Sequence, residues 1–249
     1  MSTKHTSVRV SKSKKSLEPC IDNSFKLKEI YPISETQKLV FDKFDSGVNL
    51  VLMGTAGTGK TFCSIYLALR HMMLNKNSLD NPNKIMIVRS VVSTRDIGFL
   101  PGTLKEKLSV YEAPYKCIFA ELFGRGDAWD ILRTKGIVEF CSTSYLRGTT
   151  ISDSYIILDE FQNCNFSELD TVMSRVGKNS KMIICGDIEQ TDLTKSKFDV
   201  TGLPNFVKVL EQMSCFSISE FGVEDIVRSG MVKEYIIAKR SLGIGCILE

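Results

Sequence analysis

The stretch GTAGTGKT, residues 54–61, matches Gly-x-x-x-x-Gly-Lys-Thr in full and lies between a run that reads as a strand and one that reads as a helix. Gly54, Gly57 and Gly59 let the backbone curl, so that successive N–H groups of the loop, Thr55, Ala56 and Thr58 included, can point at phosphate oxygens with the positive end of the following helix behind them. The Lys60 ammonium suits the β and γ phosphates, and the Thr61 hydroxyl suits a magnesium ion.

A second set, ILDEFQN (157–163), ends an apolar run in adjacent carboxylates. Asp159 is suited to hold magnesium through its water shell and Glu160 to orient and deprotonate an attacking water, a pairing that favours hydrolysis over passive nucleotide binding. In CGDIEQTDL (185–193) another apolar run brings Asp187 and Gln190 to the same sheet edge as Lys60 and Asp159. A neutral amide there can contact both the γ phosphate and the attacking water, so Gln190 reads as a sensor and Asp187 as the residue that orients its loop. The tetrapeptide Asn-Lys-x-Asp, by which GTP switches commonly read guanine, does not occur, and ATP is the expected nucleotide. Gln37, on a helix ahead of the phosphate loop, has an amide that can read the adenine edge bidentately.

Such residues need a scaffold that delivers strand ends to one edge. VNLVLM (48–53), KIMIVRS (84–90), IVEFCS (137–142), SYIILD (154–159) and KMIICGD (181–187) are short apolar runs, mostly turning polar at the C-terminal end, as buried parallel strands do. Helical patterns alternate with them: SETQKLVFDKF (34–44) with Ser34 as cap and Leu39, Val40, Phe41 and Phe44 along it, TFCSIYLALRHMM (61–73), then 103–123, 165–176 and 205–213. CFSISEF (215–221) adds a strand and MVKEYIIAKR (231–240) a last helix. The fold class is α/β with a mainly parallel sheet, and a ligand is expected in the loops after the strands.

Composition narrows the remainder. The chain has 249 residues, 43% of them apolar, enough for one sizeable core. No run approaches a membrane span and no signal-peptide pattern opens the chain, so a cytoplasmic location is expected. Eight cysteines without a Cys-x-x-Cys pair read as reduced core residues, and with His5 and His71 as the two imidazoles a structural zinc site is not expected. Net charge is +3; the stretch KHTSVRVSKSKK (4–15), with five Lys or Arg and no acid, marks residues 1–22 as a flexible basic tail ahead of a single domain at 23–249.

The motifs GTAGTGKT, RSVVSTRDIGFLPGTLKEK, YLRGTTISDSYIILDEFQN, GDIEQTDL and EDIVRSGMVKEYI, in this order, resemble those of the PhoH-like ATPases over residues 30–240. The resemblance implies a RecA-like P-loop core related to superfamily 1 helicases, ATP and magnesium as cofactors, and association with nucleic acid, chiefly RNA. Short versions look like those carried by bacteriophages, which would make the host cytoplasm the location. By the same resemblance Gln37 reads adenine, Lys60 and Thr61 serve phosphate and metal, Asp159 and Glu160 serve metal and water, and Gln190 senses the γ phosphate. Arg228, in DIVRS, matches the family's late arginine, a finger often supplied by the next subunit. The family usually has a proline after Gly-Asp and a small residue after Asp-Glu; Ile188 and Phe161 stand there instead, and Phe161 could change how the water and Gln190 are coupled.

One core rather than two implies that motor work needs neighbouring subunits. A homo-oligomer, a hexameric ring with a shared active site, meets that need through Arg228. For single-stranded RNA or DNA, the segment 89–102 offers Arg89, Ser93, Thr94, Arg95 and Phe99, and YLRGTT (145–150) offers Tyr145 and Arg147: arginines for phosphates, rings for stacking. Two other readings use the same cradle, a P-loop phosphotransferase acting on a small metabolite and a nucleotide-dependent scaffold with little turnover.

Overall fold

A parallel strand covered on both faces must be apolar almost throughout, and runs of that kind become neighbours in one sheet. The computed structural model describes residues 21, 24–75, 81–91, 104–146, 148–187 and 197–242. Its strands are β1 (Asn49–Gly54), β2 (Lys84–Arg89), β3 (Val138–Ser142), β4 (Ser154–Asp159), β5 (Lys181–Gly186) and β6 (Phe216–Phe221). They form one sheet in the order β3-β2-β4-β5-β1-β6, and every pairing is parallel. This is the arrangement of a RecA-like P-loop domain: β5 stands between β1, which leads into the phosphate loop, and β4, which ends in Asp159.

Successive residues of a strand face opposite sides, and the core divides accordingly. Leu50 and Leu52 of β1 and Ile157 of β4 pack with α1 (Glu35–Asp45), α2 (Lys60–Leu74), α3 (Leu104–Phe123) and α4 (Ala128–Thr134). Val51, Ile156 and Leu158 pack on the other face with α5 (Phe166–Ser174) and α6 (Lys197–Glu211). Every residue of β4 is buried, and since a fully buried Ile or Leu contributes about 1.5–3 kcal/mol, the strand holds Asp159 at its end firmly in place. α7 (Gly230–Ser241) follows β6.

Several local expectations hold. Ser34 Oγ accepts the Gln37 N–H at 3.2 Å and caps α1, and α5 opens with a capping box between Asn165 and Glu168. Others need correction. Leu39 of α1 is 48% exposed, outside the stripe formed by Val40, Phe41 and Phe44. α4 has no counterpart in the sequence reading, because a seven-residue helix is too short to show a period; it buries Trp129 and Leu132. α6 begins at Lys197 and runs through Pro204, well ahead of the expected start at 205. Ile21, assigned to the tail, is 3% exposed and packs with Phe25 in the first core cluster. Residues 1–20 lie outside the described residues. Of the six described cysteines, all free, Cys63, Cys164 and Cys185 are buried, Cys141 is half-buried, and Cys117 and Cys215 are exposed; that pair falls on solvent-facing positions rather than in the core. No helix among the described residues is long and apolar enough to cross a membrane.

Candidate functional site

β1 ends at Gly54 with φ +114°, and a Cβ there would lie 2.2 Å from the Phe221 carbonyl oxygen. Only glycine lets β6 close on the loop this tightly, and the Thr55 N–H donates to that same oxygen at 2.9 Å. Gly57 and Gly59 also have positive φ, and α2 begins directly at Lys60. With the loop wrapped on itself, Lys60 Nζ donates to the Gly54 and Thr55 carbonyls, each at 2.8 Å, and approaches Thr58 Oγ1 at 3.4 Å. Burial pushes the Lys60 pKa down, while Asp187, Cys185, Glu160 and Asp159 pull it up. A cation held by loop carbonyls can exchange them for phosphate oxygens with little motion. Gln37 is buried against the same loop: its Oε1 accepts the Ile33 N–H at 3.0 Å and its Nε2 donates to the Thr58 carbonyl at 3.2 Å. An amide oxygen has two lone pairs and the nitrogen two hydrogens, so each keeps one position to offer.

Opposite the loop, Asp159 is held on both oxygens. Thr61 donates to Oδ1 at 2.8 Å, the Cys185 thiol approaches Oδ1 at 3.4 Å, and the Tyr115 hydroxyl donates to Oδ2 at 2.8 Å. Glu160 has φ +52° and ψ 44°, a left-handed conformation uncommon outside glycine, which swings its side chain out of the strand's alternation. Gln162 Nε2 donates to the Glu160 carboxylate, and Gln162 Oε1 accepts the Asp187 N–H at 3.0 Å. The Glu160 pKa is raised, first by burial and then by Asp159, against the Gln162 hydrogen bond and the charges of Arg89 and Lys60.

These groups form the floor of a cleft of about 890 Å³. One wall is Ile30, Tyr31 and Ile33; the other is Pro114, Cys117 and Ile118 of α3. Val227 and Arg228 close the rim beside the phosphate loop: the Val227 N–H donates to the Gly57 carbonyl at 3.1 Å, and a Cβ on Gly57 would stand 2.9 Å from Arg228 Cγ. The structure thus brings Gln37, the phosphate loop, Lys60, Thr61, Asp159, Glu160, Asp187 and Arg228 into one space. Arg228 packs over the loop of its own chain.

Arg89, expected in a nucleic-acid groove, ends β2 in register with Asp159 at the end of β4. Burial opposes its charge, but Tyr115, Asp159 and Glu160 outweigh that and its pKa is raised; its guanidinium stands 5.9 Å from the Tyr111 ring centroid. At the end of a covered strand its side chain has little choice but the polar groups at that edge. Tyr145 is 51% exposed on a short 3-10 turn after β3, away from the cleft lining. Ser93, Thr94, Arg95, Phe99, Arg147, Ile188 and Gln190 lie outside the described residues. Sequence reasoning missed Tyr115 and Gln162. Tyr115 meets its partner 44 positions away, with no local signal, whereas Gln162 stood inside the quoted ILDEFQN without an evident task.

The donor set suits magnesium. Among the described residues no group of three or more His, Cys, Asp or Glu could cage a metal, but the Thr61 hydroxyl and Asp159 carboxylate place hard oxygens together, as a site does that also draws on phosphate oxygens and water.

Comparison with known proteins gives the context. A family model described as PhoH-like protein matches residues 29–239. The chain is 31% identical over 217 residues to a PhoH-like protein of Mycobacterium leprae, covering 85% of this chain and 58% of that protein. It is 36% identical over 187 residues to a PhoH-like protein of Bacillus subtilis, covering 75% and 56% respectively. It therefore spans somewhat more than half the length of these curated relatives. Among solved structures, the Hef helicase domain of Pyrococcus furiosus superposes with a TM-score of 0.44 at 11% identity, covering 80% of this chain and 39% of that one.

Proposed function

The chain belongs to the PhoH-like protein family, and we propose that it is a magnesium-dependent ATP hydrolase that couples turnover to the binding or remodelling of single-stranded nucleic acid, RNA in the first place, as a cytoplasmic oligomer. The observation that carries the catalytic part is the 2.8 Å hydrogen bond between Thr61 and Asp159, which joins motifs 98 positions apart around Lys60 and Glu160.

In this reading the triphosphate lies along the loop N–H groups, Lys60 trades the Gly54 and Thr55 carbonyls for β and γ oxygens, and Gln37 presents its remaining acceptor and donor to adenine. Thr61 and Asp159 hold the metal, and the chemistry a bound magnesium ion supplies is neutralisation of charge on the phosphate oxygens. Glu160 takes a proton from water as the water oxygen bonds to the γ phosphorus, the bond to the bridging oxygen breaks, and ADP and phosphate leave. Its raised pKa makes it a better proton acceptor than a solvated glutamate once ionised. Gln162 holds its carboxylate in place. Arg228 stabilises charge developing on the phosphoryl group from its own chain, and Gln190 senses the γ phosphate.

For nucleic acid, the support is family membership and the exposed ring of Tyr145 near the C-terminal edge of the sheet. Oligomerisation, a hexamer in this proposal, draws support from exposed apolar side chains on α7, Met231, Tyr235 and Ile237, rather than from a shared arginine.

The test is steady-state release of phosphate from ATP with magnesium, with and without single-stranded RNA, using Lys60→Ala and Glu160→Gln. Hydrolysis lost in both variants and stimulated by RNA is the expected result. Transfer of phosphate to an acceptor would instead identify a phosphotransferase, and tight ATP binding without turnover a scaffold.

A further inference from the structure

The nucleotide reading gives no task to the buried hydroxyl of Tyr115. Its ring is fully buried on α3, between Trp129 at 6.2 Å and Phe140 at 5.7 Å between ring centroids. The packing fixes where the hydroxyl points, and it points at Asp159 Oδ2, 2.8 Å away. An aspartate carboxylate turns easily about its last torsion, which has broad wells. Here Thr61 takes one oxygen and Tyr115 the other, so the plane of the carboxylate is set from both sides.

We propose that Tyr115 is a positioning residue for the metal site: by holding Asp159 Oδ2 it presents Oδ1, beside the Thr61 hydroxyl, to the ion that accompanies the nucleotide. The inference rests on the nucleotide reading and deepens it. Metal ligands are commonly oriented by a second hydrogen-bonded layer whose loss costs affinity for the ion, and Tyr115 supplies that layer through a rigid aromatic body. The same helix lines the cleft through Pro114, Cys117 and Ile118. Pro114 lacks an N–H to continue the helical ladder just before Tyr115. One helix therefore both lines the cleft and touches the Asp159 carboxylate, and a shift of α3 at the cleft would be felt at Asp159.

The experiment uses the full chain and a fluorescent ADP analogue, titrated without metal and then at increasing magnesium, in wild type, Tyr115→Phe and Asp159→Asn. Phenylalanine keeps the ring packing, and a thermal melt confirms that the variant is folded. We expect Tyr115→Phe to bind metal-free nucleotide as wild type does while its half-saturating magnesium rises about 10-fold, a change that a purely structural role for the ring would not produce. A magnesium dependence abolished by Asp159→Asn but unaltered in Tyr115→Phe would overturn the positioning role alone. Nucleotide binding that ignores magnesium in wild type would overturn the metal site itself, and the inference with it.

Discussion

Gly186, the last residue of β5, packs against Gln162, which holds the Glu160 carboxylate, and adding one methyl group there tests that support. A Cβ at this position would lie 2.2 Å from Gln162 Oε1 and 2.6 Å from Phe161 Cδ1. Phe161 is fully buried and Gln162 nearly so, and Gln162 Oε1 cannot yield without releasing the Asp187 N–H that it accepts at 3.0 Å. Leaving that buried N–H unpaired costs about 1–3 kcal/mol, and crowding the Phe161 ring costs about 1–3 kcal/mol more. Gly186→Ala is therefore expected to destabilise the protein by about 2–6 kcal/mol in urea unfolding and to depress turnover, since Gln162 also holds Glu160. Gln162→Ala breaks the same bond to Asp187, so in the double variant that loss is counted once. The summed single effects should exceed the double by about 1–3 kcal/mol. Effects that add to within about 0.5 kcal/mol would refute the idea that Gly186 acts through Gln162.

Two further outcomes follow from the geometry. Because Arg228 packs over its own loop, Arg228→Ala should lower hydrolysis by on the order of 10³-fold, and mixing it with the Glu160→Gln variant should recover no activity; recovery in that mixture would show that the arginine serves a neighbouring subunit. His71, whose Nδ1 lies 2.6 Å from the Tyr155 hydroxyl, has its pKa lowered by burial and by Lys181 and Arg70, against Asp45. The unfolded chain then binds the extra proton more readily, so this contribution to stability is present above the ordinary histidine value of 6.5 and is lost as pH falls through the lower folded value. The urea midpoint of wild type should drop more between pH of about 7.5 and about 5.5 than that of His71→Gln, and equal drops would contradict the assignment.

What the sequence by itself determined is what neighbouring residues decide. The phosphate loop is legible because its glycines, lysine and threonine act within eight consecutive positions, and the strands are legible because burial on both faces leaves an unbroken apolar run. Strand order, side-chain direction and partners across the sheet are different in kind, since they depend on which elements meet. Nothing near Tyr115 announces Asp159, nothing in DIVRS places Arg228 beside Gly57, and the arginine of KIMIVRS reads equally well as a surface cation until β2 is laid beside β4. Gln162 was in view and its task was not, because its two partners, Glu160 and Asp187, come together only when β5 is inserted between β1 and β4. The motifs supply the polar groups of the site, and the packing of one sheet and one helix decides how they are aimed.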